Sequence, residues 1–266
     1  QSVSLDAQEA VRRAAELDSQ GHREIVLTGV NISSYDSAGV RLPVLVRRMI
    51  DSTRSARFRL SSLEPEALTD ELADVLVHER VCPHFHIPVQ SGSDEVLSRM
   101  RRRYTARRVS EGIARLRGAK DDPFIAGDFI AGFPGETDAD HAETLRLAEA
   151  MRFATLHVFP FSPRPGTAAA SLTPRVPERL RDERARQLLA LSRGMSLSYA
   201  RSWTGRVVNV LLESVKGKSA ARGVAANYLK VRVSGIPPEE VVGGRIIRVK
   251  ITAPGETCEA AFIEFA

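Results

Sequence analysis

The sequence predicts an α/β chain: a parallel strand–helix sheet, open or closed into a barrel, followed by a small all-β barrel. Two patterns carry that expectation. A beat of strand, polar loop and helix repeats five times from Glu24 onward, the signature of a parallel α/β sheet. Past Trp203 the chain turns to short β-branched runs broken by glycine, which reads as a small barrel of short strands.

In order, Leu5, Val11, Ala14, Ala15 and Leu17 recur at helical spacing over residues 5–20, with Gly21 as the stop. Glu24 to Thr28 is a buried-type strand that runs into Gly29-Val30-Asn31, a polar loop from Ser33 to Gly39, and a helix over Leu42 to Ser52. A second strand, Arg57 to Ser61, passes into Ser62-Leu63-Glu64-Pro65 and a helix over Thr69 to His78. The third strand, His84 to Gln90, organises the rest and ends in Gln90-Ser91-Gly92-Ser93. Ser93 is a natural N-cap there, and Asp94 and Glu95 suit the positive end of the helix dipole. A further helix spans Arg107 to Lys120.

The fourth strand, Phe124 to Ala131, ends in Gly132-Phe133-Pro134-Gly135-Glu136, with Thr137 and Asp140 spaced as a capping box. The fifth, Ala154 to Phe159, empties into Pro160 to Thr167. A Pro-punctuated linker then leads to an Arg-rich helix that ends near Arg201. Strands follow at Val207 to Leu212, Leu229 to Val233, Ile246 to Ile251 and Ala260 to Phe265. The expected units are residues 1–172 for the strand–helix layer, 173–201 for the linker helix and 202–266 for the β domain.

The 266 residues carry a formal charge of +5, mainly as arginine, which makes nucleic acid a reasonable partner. No apolar run approaches the roughly 20 residues of a membrane span, and no signal-peptide pattern is present. Cys82 and Cys258 are the only cysteines; they give no disulfide framework and fit a reducing, cytoplasmic setting.

The five strand ends are where chemistry is expected, because ligands meet parallel sheets at the C-terminal ends of the strands. Each carries a small, polar or backbone-exposing loop, and together they suggest a bound polar cofactor with hydroxyls and an amino-acid or nucleoside part. There is no phosphate P-loop, no GxGxxG and no apparent Ser/His/Asp set. His84 and His86 alternate on one strand without an evident acid partner and read as structural.

His86-Ile87-Pro88-Val89-Gln90-Ser91-Gly92-Ser93-Asp94, Met100-Arg101-Arg102-Arg103-Tyr104-Thr105, Gly132-Phe133-Pro134-Gly135-Glu136-Thr137 and Phe159 to Thr167 occur in this order. In order and spacing they resemble the radical S-adenosylmethionine methylthiotransferases, over essentially the whole chain. Leu27 to Asn31 and Cys82 to Pro88 look most like the branch acting on threonylcarbamoyladenosine in tRNA. The resemblance implies a partial (β/α)6 barrel, its first strand missing, that binds S-adenosylmethionine against a [4Fe–4S] cluster. A C-terminal TRAM barrel would bind RNA. The implied activity is transfer of a methylthio group to C2 of the modified adenosine at position 37, with a second cluster implicated in supplying sulfur. The implied partner is the tRNA anticodon arm.

The chain departs from that family at one decisive place. No CxxxCxxC is present, and Cys82 and Cys258 cannot replace three closely spaced thiolates. It therefore reads as the C-terminal two-thirds of such an enzyme, inactive alone, with the cluster cysteines expected upstream of Gln1.

Carried over by position, the resemblance implies that Gly29 and Asn31 lie near the methionyl group, and Ser62 and Glu64 at the next strand end. Gln90 and Ser91 would face the ribose, and Gly132, Phe133 and Pro134 would approach the adenine with backbone groups. For RNA, the dense cluster around Arg101, Arg102 and Arg103 has almost no acid before Glu111 and suits phosphate contact. Arg164 joins it at the last strand end. In the β domain, Lys216, Lys218 and Arg222 with Tyr228 suit backbone gripping and base stacking. Arg179, Arg181, Arg184, Arg186 and Arg193 are interleaved with acids and read as a solvated helix face. Two other readings stay open: a methylthiotransferase acting on a ribosomal protein, and a non-catalytic RNA-binding adaptor.

Overall fold

Asp6 opens helix α1 (Ala7–Ser19) by accepting the backbone N–H groups of Gln8 and Glu9, and strand β1 (Glu24–Leu27) follows. The computed structural model describes residues 3–213, 221–237 and 240–266. A small hairpin, β2 (Asp36–Ser37) and β3 (Val40–Arg41), starts in the expected polar loop and runs two residues past it, its turn tied by the Gly39 N–H donating to the Asp36 carboxylate. Strands of two residues leave no periodicity to read. Helix α2 (Leu42–Ser52), strand β4 (Arg57–Leu60), helix α3 (Asp70–Leu76) and strand β5 (His84–Gln90) come next. They lead to α4 (Asp94–Arg99), α5 (Ala106–Ala119), β6 (Phe124–Ala131), α6 (Asp138–Ala150) and β7 (Thr155–Pro160). Ser93 caps α4, and Thr137 and Asp140 form the capping box of α6.

The five long strands of this half lie parallel in chain order. β1 pairs with β4, β5 with β6, and β6 with β7. β4 meets the segment before β5 through an isolated bridge, Phe58 to Val81, and the loop after β4 meets β5 through the Leu63 N–H donating to the His86 carbonyl at 2.8 Å. Alternation along each strand separates two faces. One face carries Phe58, Phe85 and Phe129, buried beneath helices that contribute Val46, Leu72 and Ile113. The other is polar: Glu24, Arg57, Arg59, His84, His86, Asp128 and His157.

Helix α7 (Glu178–Ser202) leads to a closed barrel of β8 (Val207–Leu212), β9 (Ala221–Ala225), β10 (Lys230–Ser234), β11 (Ile246–Ala253) and β12 (Cys258–Phe265). Its order is β10-β12-β11-β8-β9, closed by β9 pairing with β10. The fold class read from the sequence is the one observed, with β9 added. That strand went unread because Val224 is its only β-branched residue. Gly223 lets it approach β8, where a Cβ would collide with the Leu211 carbonyl.

The barrel closes the polar face at the N-terminal ends of the parallel strands. Glu24 bridges Arg57 and Arg59 at 2.7 Å each. Both guanidiniums then donate across the junction, Arg57 to the carbonyls of Asn209 and Val224, Arg59 to those of Ala225 and Ala226. Tyr228 stacks on His84 with ring centroids 3.9 Å apart. Burial, then the nearby Arg59 charge, push the His84 imidazole down to about 3, so it is neutral.

Candidate functional site

At the opposite, C-terminal ends of the strands the polar face stays open. A cavity of about 570 Å³ is lined there by Gln90, Asp128, Phe133, Phe161 and Arg164, among others. β5 carries a bulge between Ile87 and Gln90, so Gln90 leaves the strand with φ +66°, in the left-handed region. A non-glycine residue pays strain there, and the bulge re-aims its side chain. The Gln90 residue is 8% exposed, lines the cavity, and its amide has no hydrogen-bond partner among the described residues.

One layer deeper, the loop after β4 and strands β5, β6 and β7 meet in a hydrogen-bonded chain. The Ser62 hydroxyl lies 2.7 Å from His86 Nδ1, and His86 Nε2 lies 2.6 Å from Asp128 Oδ1. His157 Nδ1 reaches the same oxygen at 3.1 Å. Burial opposes a charge on Asp128, but the His157 and His86 hydrogen bonds outweigh it and hold the carboxyl down to about 2. This corrects the sequence reading on two counts: His86 does have an acid partner, and a Ser/His/Asp chain does exist. Its members come from strands far apart in sequence, so spacing could not reveal it. His86, Asp128 and His157 are also a group whose ligand atoms lie within 4.8 Å of one another.

Glu64 sits at the rim, 3.6 Å from Arg102, with burial pushing its carboxyl up against the opposing Arg102 charge. Arg102 therefore faces the strand ends rather than solvent. Arg99, Arg107 and Arg108 pair with Glu95 and Glu111. Arg101, Arg103 and Arg164 form no ion pair among the described residues and are exposed. Gly29 and Asn31 are exposed at the end of β1 and line a second cavity of about 650 Å³.

Several expected contacts are already taken. The Ser91 hydroxyl is 1% exposed as a residue, lies 3.1 Å from Thr144 Oγ1 and accepts the Ser93 N–H, so it fastens β5 to α6 instead of facing a ligand. The Gly132 N–H donates to the Glu136 carboxylate, and the Phe133 carbonyl accepts the Glu136 N–H. Gly132 has φ +74°, and a Cβ would collide with Arg181 of α7. Pro134 is buried. This turn offers the cavity an aromatic side chain, Phe133 set edge-on to Phe161 at 5.1 Å, rather than backbone.

Arg184, read as part of a solvated face, is buried and grips the Glu136 carboxylate at 3.3 Å and the Glu136 carbonyl at 3.0 Å. Tyr228 is the interdomain stack described above, so one face of its ring is occupied. Arg222 is exposed on β9, while Lys216 and Lys218 lie outside the described residues.

The thiols do not suit an iron–sulfur cluster. Cys82 is buried near Glu24, and burial pushes it up to about 11; Cys258 is buried in the separate core of the β-barrel. Among the described residues, no helix is long and apolar enough to cross a membrane.

The profile of the radical SAM superfamily matches residues 1–148. Threonylcarbamoyladenosine tRNA methylthiotransferase MtaB of Treponema pallidum is 38% identical over 96% of this chain and 52% of its own length. The proteins of that name from Bacillus subtilis and Thermotoga maritima are 35% and 38% identical, over 57% and 58% of their lengths. The chain thus spans about half the length of the curated relatives it matches. Among solved structures, coproporphyrinogen III oxidase from Escherichia coli, a radical SAM enzyme, superposes with a TM-score of 0.56. That match has 13% identity and covers 92% of this chain and 60% of the oxidase. The chain belongs to the radical SAM superfamily.

Proposed function

We propose that this chain is the cofactor- and RNA-binding part of a tRNA methylthiotransferase acting on N6-threonylcarbamoyladenosine. The observation that carries this is the open cavity at the strand ends. An uncommitted Gln90 amide, a fixed Asp128 charge and two phenylalanine rings face one space large enough for a nucleoside. The names of the relatives supply the substrate.

The residues present suit S-adenosylmethionine. Gln90 would hold its ribose, the Phe133–Phe161 pair would pack on its adenine, and the exposed backbone at Gly29 and Asn31 would take the methionyl end. Ser62 and Glu64 sit at the intervening strand end. When bound, S-adenosylmethionine supplies the adenosyl and methyl groups of the reaction. A [4Fe–4S] cluster does not suit these two buried thiols, and no step is assigned to them.

Arg164, which lines the cavity, with the exposed Arg101 and Arg103, all unpaired among the described residues, would hold the phosphates of an anticodon arm, and Arg222 on the barrel would be a further contact. Labelled anticodon stem-loops titrated at several salt concentrations test this. Affinity should fall steeply with salt, and Arg101→Glu with Arg103→Glu should flatten the log–log slope by roughly one unit per lost contact. Salt-insensitive or undetectable binding overturns the RNA reading and favours a protein substrate.

A further inference from the structure

We infer that Asp128 determines base specificity, accepting a hydrogen bond from the exocyclic N–H of the target adenine. This rests on reading the cavity as a nucleoside site. Both imidazoles bind the same oxygen: His86 Nε2 at 2.6 Å and His157 Nδ1 at 3.1 Å meet Oδ1. The other oxygen, Oδ2, has no hydrogen-bond partner among the described residues. It is also absent from the buried unsatisfied atoms there, and Asp128 lines the cavity. An ionised carboxylate with one oxygen clamped and one free is an acceptor fixed in direction.

The protons of the clamp are consistent. If Ser62 donates to His86 Nδ1, His86 carries its proton on Nε2 and donates to Asp128, and His157 donates from Nδ1. Each inward-facing nitrogen is then used, and nothing remains to turn Oδ2 away. At the C6 position adenine presents an N–H donor where guanine presents the O6 acceptor, and a carboxylate oxygen facing that position meets a donor in one and an acceptor in the other. A free carboxylate oxygen therefore favours the former and repels the latter.

The test compares two anticodon loops, one with N6-threonylcarbamoyladenosine at the target position and one with the same base methylated on the exocyclic nitrogen. Wild type should prefer the N–H form by about tenfold or more, the size expected of a hydrogen bond to a charged acceptor. In Asp128→Asn the amide nitrogen turns to the cavity, because the amide oxygen must still accept from the imidazoles, and the preference should vanish. If that variant fails to fold, His157→Ala, at a half-exposed position, loosens the same clamp and should reduce the preference severalfold. An equal preference in wild type and variants overturns the assignment while leaving the nucleoside reading intact. No binding of either loop to wild type overturns both.

Discussion

The two ends of the parallel strands carry similar residues and use them oppositely. At the N-terminal floor, Glu24 is consumed by Arg57 and Arg59, whose remaining donors go to four barrel carbonyls, and the neutral His84 ring is covered by Tyr228. At the mouth, the side chains of Gln90, Arg101, Arg103 and Arg164 are without partners among the described residues, and Asp128 keeps one oxygen free there. Polar groups that satisfy one another hold a fold together, and those left over can meet a ligand. The density of charge does not separate the two ends; its saturation does.

The largest effect should come from breaking the floor. Glu24→Ala leaves two guanidiniums buried without a counter-charge and should lower stability by about 3–5 kcal/mol in urea denaturation. The same change should expose the α7–β8 connection to proteolysis, because Arg57 and Arg59 tie the barrel in place. A loss below about 1 kcal/mol would show that the floor is not the structural lock.

His84 gives a smaller effect with a defined pH window. Its folded value, about 3, lies below the ordinary imidazole value of 6.5, so the unfolded chain binds the extra proton between them. The contribution is complete above about pH 6.5 and falls by roughly 1.4 kcal/mol per pH unit as acidity increases. His84→Phe keeps a ring against Tyr228 and removes the proton, so its stability should lose that slope between pH 6 and 4. Identical slopes in wild type and variant would place the titration elsewhere.

Much of this contrast was hidden in the sequence for a physical reason. Local signals were legible: Ser93 and the Thr137–Asp140 pair cap helices where their spacing says they should. The strand beat placed Gln90 at a strand end. Whether a polar residue at a strand end is spent depends on partners distant in sequence. Ser91 meets Thr144 and Arg184 meets Glu136, while His86 meets Asp128, each across dozens of residues. The arginine runs misled for the same reason, since Arg102 and Arg184 have acids waiting on other elements.

The smallest effect on the fold should come from the mouth. Gln90→Gly relieves a left-handed backbone and should leave stability unchanged or raise it by about 1 kcal/mol. Affinity for S-adenosylmethionine should nonetheless drop about fivefold or more, the loss of one or two hydrogen bonds. Unchanged affinity would remove Gln90 from the site.

The most direct measurement is amide hydrogen exchange of the wild-type chain with and without millimolar S-adenosylmethionine. Protection should appear at residues 90–92, 128–133 and 159–164, around the mouth, with 24–27, 57–60 and 225–228 unchanged because the floor is already closed. Protection confined to the floor segments, with none at the mouth, would contradict the division of labour between the two ends.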